Sequence, residues 1–266
     1  MVDKSEKFSW LVRLGYAARG LLYIVIGYLA LFSSHHDKSQ RGAMAYVHDR
    51  MPGGVPLLYL IGAGLLAYAL YKVCSLLFDI EHHGGEPKGL AIRFGQACGG
   101  GVYAALAWSA FQLANGYRKA EGSGGEAQRV SASLLSYAIG PLVLGAVGIG
   151  FFCAAAQQLR QAFTARFMHR ISRRAPKAVA YLGRAGHGAR AVVFAVVGWS
   201  LVRSAWFHHG VQIRSLGDAL DALAGSGPLY TVVAVGLMLF GLFSLMVGYY
   251  RIIPDIDARD LKPHPS

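Results

Sequence analysis

The sequence predicts an all-α, polytopic membrane protein with six transmembrane helices. They form three parallel two-helix repeats with approximate three-fold pseudosymmetry. Three observations predict this. Apolar residues gather in six blocks, at 12–33, 55–78, 91–114, 134–157, 179–205 and 229–250. Each nears or exceeds the ~20 residues that an α-helix needs to cross the hydrocarbon core. Three stretches align without gaps: GYAARGLLYIVIGY (15–28), GQACGGGVYAALAW (95–108) and GHGARAVVFAVVGW (186–199). A glycine and then a Pro-Leu pair open the next block each time, at Gly54/Pro56-Leu57, Gly140/Pro141-Leu142 and Gly227/Pro228-Leu229.

Composition agrees. The chain has 266 residues, 54% of them hydrophobic and 15% charged, with mean hydropathy +0.38. Soluble domains carry about 25% charged residues. No polar segment is long enough for a separate soluble domain, so one membrane domain is expected over 1–266. Its units lie near 10–80, 90–160 and 179–251.

The first block follows a basic N-terminus, as a signal peptide would. It runs past the usual signal core, carries Arg19, and ends in LFSSHH without an A-x-A site. A retained helix is expected. The loop after it, RGAMAYVHDRMP (41–52), has a weakly amphipathic pattern. Pro56 then suits the first turn of the second helix, where a missing N–H costs nothing. The second unit repeats the plan, with the run Gly99-Gly100-Gly101 read as close helix packing. Its even helix continues into LRQAFTARFMHRISRR (159–174). There Leu159, Phe163, Phe167 and Ile171 recur every four residues among arginines. A basic interfacial helix and an extension of the fourth helix fit that pattern equally. In the third unit SLGDALDALAGSGP (215–228) puts Leu216, Ala219, Leu220 and Leu223 on one face, with Ser215 as cap. Two helices per unit return the chain to the same side, so the repeats are parallel.

The formal charge is +12, from 26 Lys and Arg against 14 Asp and Glu. Positive residues collect on cytoplasmic loops. With the N-terminus inside, eight of them fall outside (Lys38, Arg41, Arg50, Arg118, Lys119, Arg129, Arg203, Arg214). Arg19 and Arg190 lie within spans, and the remaining 16 fall inside. Both termini are therefore expected in the cytoplasm, and the charge needs no nucleic acid to explain it. Arg166, Arg170, Arg173 and Arg174 are candidate contacts for anionic lipid headgroups on that side, and an unidentified protein partner is the other use of a basic face.

Cys74, Cys98 and Cys153 fall in separate spans without a C-x-x-C pair, so they read as small buried residues. The pairs His35-His36, His82-His83 and His208-His209 read as exposed loop residues, because adjacent histidines do not share a helix face. No metal or cofactor is implied. Asp79 and Glu81 beside Lys72 read as an interfacial salt bridge. G-x-S-x-G, H-E-x-x-H and Walker A patterns are absent, and no enzyme is expected. Paired acids within spans, which proton-coupled transport would favour, are also missing.

The opening G-Y-x-x-R-G-x-x-Y-x-x-x-G, the later P-L-L-Y-L-I-G-A-G-L-L-A-Y run and the helix pairs resemble a bacterial membrane family, catalogued as domain of unknown function 1206. The resemblance runs from about Trp10 to Arg251. The first unit matches through Gly15, Tyr16, Arg19, Gly20, Tyr23 and Gly27. The third keeps Gly186, Arg190, Phe194 and Gly198, with His187 for the Tyr and Ala191 for the Gly. The second has Gly99 where the others have Arg. The resemblance implies a six-helix inner-membrane protein and supplies no catalytic residues.

An ionisable residue inside a span is a functional candidate. Arg19 and Arg190 share one column of the repeat. Tyr16, Gln96 and His187 share the column one turn earlier, on the same helix face. If that face meets the pseudo-three-fold axis, Tyr16, Arg19, Gln96, His187 and Arg190 form one polar cluster. Three other uses stay open: polar glue between helices, snorkelling of the arginines to the interface, and contact with a lipid headgroup. The first functional expectation is a structural or regulatory component that binds lipid or a partner. The second is a small-solute or ion transporter or channel with its site on the odd-numbered helices.

Overall fold

A computed structural model describes residues 4–33, 37–78, 86–117, 129–130, 132–137, 139–207 and 215–251. In order they form α1 (Lys4–Phe32), α2 (Gln40–Arg50), α3 (Gly54–Phe78), α4 (Pro87–Ala114), α5 (Gly140–Thr164), a 3-10 turn (Arg166–Arg170), α6 (Ala178–Phe207), α7 (Leu216–Ala224) and α8 (Pro228–Tyr250). Among the described residues the only extended pairing is one antiparallel bridge, Ile171 with Arg251.

Among the described residues, five stretches are long and apolar enough to cross a membrane: Val12–Phe32, Gly54–Ser75, Gly140–Thr164, Ala178–Phe207 and Pro228–Tyr250. Their outward faces are apolar too, with Phe32, Leu60, Leu70, Leu142, Ile149, Trp199 and Val232 exposed. A soluble monomer rarely shows so much contiguous apolar surface. The chain is an all-helical membrane protein. The expected sixth span, 91–114, lies in α4, a helix of 28 residues. It is long enough but leaner in composition, because glycines, Arg93, Gln96 and Gln112 dilute its apolar residues. The fourth block is shifted from 134–157 to Gly140–Thr164, since Pro141 fixes the first turn of α5.

α1 and α8 pack closely because Gly20 meets Gly241. A Cβ built on Gly241 would lie 2.6 Å from the Gly20 carbonyl oxygen. Small residues let membrane helices approach in this way. The strongest contacts recur in one pattern: α3 against α4, α5 against α6, and α8 against α1. Within units, α1 meets α3 and α6 meets α8. α4 and α5 make no comparable contact among the described residues. The span contacts thus run as an open series, α4–α3–α1–α8–α6–α5, whose two ends do not pack on each other among the described residues.

Gly15 packs against Tyr68, and Gly186 packs against Phe240. Tyr68 and Phe240 each stand twelve residues after the proline that opens their helix, Pro56 and Pro228. The matching pair in the second unit is Gly95 and Cys153. Gly95 has no heavy atom within 4 Å of a built Cβ, and Cys153 is exposed.

Two expectations are corrected here. Cys98 and Cys153 are exposed, not buried. Of the glycine run, only Gly100 packs, 3.1 Å from the Lys72 Cβ, while Gly99 and Gly101 meet open space.

Both loop helices form at the end of the bundle away from the termini. Ser39 caps α2 by accepting from the Gly42 N–H. Ser215 and Asp218 close a reciprocal capping box on α7, and Ala219, Leu220 and Leu223 turn inward. A half-buried clasp joins the two loops. Lys38 Nζ donates to Asp221 Oδ1 at 2.6 Å and lies over the Tyr230 ring.

The 159–174 stripe does not form one helix. α5 carries it through Thr164. Ala165 then takes a left-handed φ of 47°, and the chain turns. The four apolar residues therefore part company. Leu159 and Phe163 stay exposed on α5, Phe167 folds back against Gly183 and Phe243, and Ile171 is buried. The bridge to Arg251 and the Ser172 N–H to Tyr250 O bond hold the segment on the end of α8.

Candidate intramembrane site

Arg19 stands midway along α1 and is 8% exposed. Its Nη1 donates to the Tyr68 hydroxyl and its Nη2 to Ser244 Oγ, each at 3.1 Å. The guanidinium also lies over three rings: Tyr16 at 4.9 Å, Phe240 at 5.0 Å and Tyr68 at 5.3 Å. Arg19 therefore points inward among α1, α3 and α8. The snorkelling expectation is corrected: hydroxyls and ring faces inside the bundle satisfy part of this charge.

Arg190 on α6 reaches the same place from the other side. Its guanidinium lies 4.5 Å from the Phe240 centroid, 4.8 Å from Phe194 and 5.4 Å from Tyr23. Phe240 is fully buried and meets Tyr23 edge-on. Both arginines thus share one ring, so the two charges are no more than about 10 Å apart in surroundings that screen them poorly. The six apolar blocks contain no Asp or Glu. The Nε atoms of both arginines are buried without a hydrogen-bond partner.

His187 and Tyr16 join this centre at its edge. The His187 ring meets Phe240 and Phe243 edge-on, stacks on Phe167, and pairs through Nδ1 with Gln158 Oε1. The Tyr16 hydroxyl accepts from Arg251 Nη1, and Arg251 Nη2 donates to Tyr71 at 2.9 Å. Gln96 is directed elsewhere, accepting from Ser75 Oγ at 2.8 Å across the α3–α4 contact. Four of the five sequence candidates are therefore linked through Phe240 and Arg19, while the fifth, Gln96, joins Ser75.

Arg166, Arg170, Arg173 and Arg174 are all exposed at the end of the bundle that holds the termini. The histidine pairs lie outside the described residues, as do Asp79 and Glu81. Lys72 itself lies over the Tyr68 and Tyr71 rings.

Sequence reasoning missed Phe240, Tyr68, Ser244 and Arg251, all on α3 or α8 or at the end of α8. A signal existed for the first two, since both stand twelve residues after the helix-opening proline.

Comparison with known proteins follows the same units. The family described as Domain of Unknown Function (DUF1206) matches three times, over residues 14–75, 94–165 and 185–251. The chain belongs to this family. It is also similar to the Uncharacterized protein YxxB of Bacillus subtilis (strain 168). Identity is 32% over 263 residues, covering 93% of this chain and 94% of that protein. No solved structure matches the chain. The three DUF1206 matches start within a residue of Gly15, Gly95 and Gly186, so each begins within the first long helix of a unit, α1, α4 or α6.

Proposed function

We propose that this DUF1206 protein is a six-span, non-enzymatic protein of the bacterial inner membrane that binds an anionic group at Arg19 and Arg190. α4 serves as the sixth span. The three recurring helix contacts and the repeated Gly15–Tyr68 and Gly186–Phe240 pairs support an approximate three-fold arrangement. The excess of Lys and Arg supports cytoplasmic termini.

One observation carries the functional reading: two guanidiniums approach one buried ring, each with an unpartnered Nε, in spans that hold no carboxylate. An anion there would relieve the repulsion and take up the free donors. Arginine's planar fork suits carboxylate and phosphate. Binding and transport share this geometry, so it favours the intramembrane site over a purely structural role.

The test is thermal unfolding of purified protein with inorganic phosphate, sulfate or acetate, wild type against Arg190→Gln. At least one anion is expected to raise the wild-type Tm, with the shift lost in the variant. An equal shift in both, or none with any anion, would overturn the reading. Flux of the same anions into proteoliposomes, compared with empty vesicles and with Arg19→Ala/Arg190→Ala, then separates transport from binding.

The exposed Arg166, Arg170, Arg173 and Arg174 favour a second contact, with anionic lipid headgroups at the cytoplasmic surface. Sedimentation with phosphatidylcholine vesicles would not test an integral protein. Lipid composition in nanodiscs would: the four-fold Gln variant is expected to lose its enrichment of phosphatidylglycerol.

A further inference from the structure

α4 and α5 do not pack on each other among the described residues, and rings on each side of the gap between them reach toward the arginine centre. The α4 wall of this gap is defined by the repeat: Gly95, Gly99 and Tyr103 follow one another at intervals of four on one helix face. Gly99 stands in the column that holds Arg19 and Arg190 in the other units, and a Cβ there meets nothing within 4 Å. Space therefore replaces a third guanidinium at the level of the other two. Tyr103 meets Tyr68 edge-on at 4.8 Å, and Tyr68 receives the Arg19 hydrogen bond. On the other wall, Phe151 of α5 meets Phe194 edge-on at 5.7 Å, and Phe194 lies under Arg190. Each wall is thus one ring away from an arginine.

The flanks of this opening are two membrane-length helices, so it faces the bilayer. The wall residues named by the repeat and the ring contacts, Gly95, Gly99, Tyr103, Phe151 and Cys153, carry no charge. A ligand that fits both parts needs an acidic head for the two guanidiniums and an apolar tail for the cleft. We infer that the protein binds an anionic amphiphile taken laterally from the membrane, with the head at Arg19 and Arg190 and the acyl chain between α4 and α5. The proposal rests on the arginine pair being the anion site. It adds the ligand class and the direction of access.

The experiment is native mass spectrometry of the detergent-released protein with lysophosphatidic acid or with lysophosphatidylcholine of the same chain. Wild type is expected to retain the anionic lipid at least ten-fold over the zwitterionic one. Arg190→Gln is expected to lose that preference through the head, and Arg190→Lys to keep part of it. Gly99→Phe is expected to lose it through the tail while melting like wild type, because its side chain enters open space. No preference for the anionic lipid, or full retention in Gly99→Phe, overturns the proposal. So does a dimer that Gly99→Phe dissociates, since the cleft would then be an interface between copies. If inorganic phosphate still stabilises wild type through Arg190 while the lipid does not bind, the anion site stands and only the amphiphile falls. If neither binds, both readings fall.

Discussion

Arg19 donates to the Tyr68 hydroxyl at 3.1 Å across the α1–α3 contact, where both residues are buried. The second fork nitrogen binds Ser244 on α8, so one side chain ties three helices. Replacing it by Met leaves Tyr68 and Ser244 without this donor and removes the charge from three rings. Hydrogen bonds to charged groups contribute about 1.5–3 kcal/mol each, and polar contacts between membrane helices often less. Arg19→Met is therefore expected to lower stability by roughly 2 kcal/mol, read as a lower Tm in detergent. Arg19→Lys should not restore it, because a single ammonium lacks the planar fork. A lysine variant with wild-type Tm would show that charge alone suffices.

The clasp at the opposite end depends on pH. Burial works against the Lys38 ammonium, but hydrogen bonds to Asp221 and Tyr230 outweigh it and raise its pKa above the ordinary 10.5. A raised folded-state pKa gives stability that is fully present below the unfolded value and lost as pH climbs through the folded one. Lys38→Met should thus cost stability at pH 7–9. Its deficit against wild type should shrink as pH passes about 10.5 and rises further. Tm measured for both proteins from pH 8 to 11 checks this. A gap that stays constant over that range would mean Lys38 acts through packing alone.

How much of this could be read from the sequence differs by helix. Gly15/Gly95/Gly186 and the two arginines were legible because the repeat places them in columns. Ser215 and the face of α7 were legible because a short polar loop has few ways to bury Leu220. Phe240 and Tyr68 were not, since α3 and α8 are apolar nearly all round and their periodicity does not mark an inward side. The break at Ala165 carries no Gly or Pro to announce it; the chain turns there to bury Phe167 and Ile171. The glycine run at 99–101 misled for a physical reason as well. Glycine permits close approach but does not compel it, and only Gly100 has a neighbour in reach.

That contrast among glycines is itself testable. A Cβ on Gly241 would come 2.6 Å from the Gly20 carbonyl, an oxygen held by its helix. Gly241→Ala should force α1 and α8 apart and cost about 1–3 kcal/mol, as overpacking does. Gly99→Ala meets nothing and should be neutral, or gain up to about 1 kcal/mol from better helix propensity. Thermal unfolding of the two variants side by side gives the answer. Equal losses would mean that α4 packs at Gly99 as tightly as α1 packs on α8.

The lack of close α4–α5 packing predicts a cross-linking pattern. Two cysteines form a disulfide only when their Cα atoms lie within about 7 Å. Gly15 and Gly186 touch their partner helices at Tyr68 and Phe240, whereas Gly95 has no neighbour although Cys153 is its counterpart. With Cys74 and Cys98 changed to Ser, Gly95→Cys should therefore fail to link to Cys153 under oxidation in native membranes. Gly148→Cys with Val202→Cys provides the positive control in a Cys-free background. A Cβ on Gly148 lies 2.7 Å from the Val202 side chain, so α5 and α6 are close enough there. Linkage is read as protection from a maleimide mass tag, recovered after reduction. Efficient Gly95→Cys/Cys153 linkage alongside the control would mean that α4 and α5 close in the membrane, and the lateral cleft would not exist there.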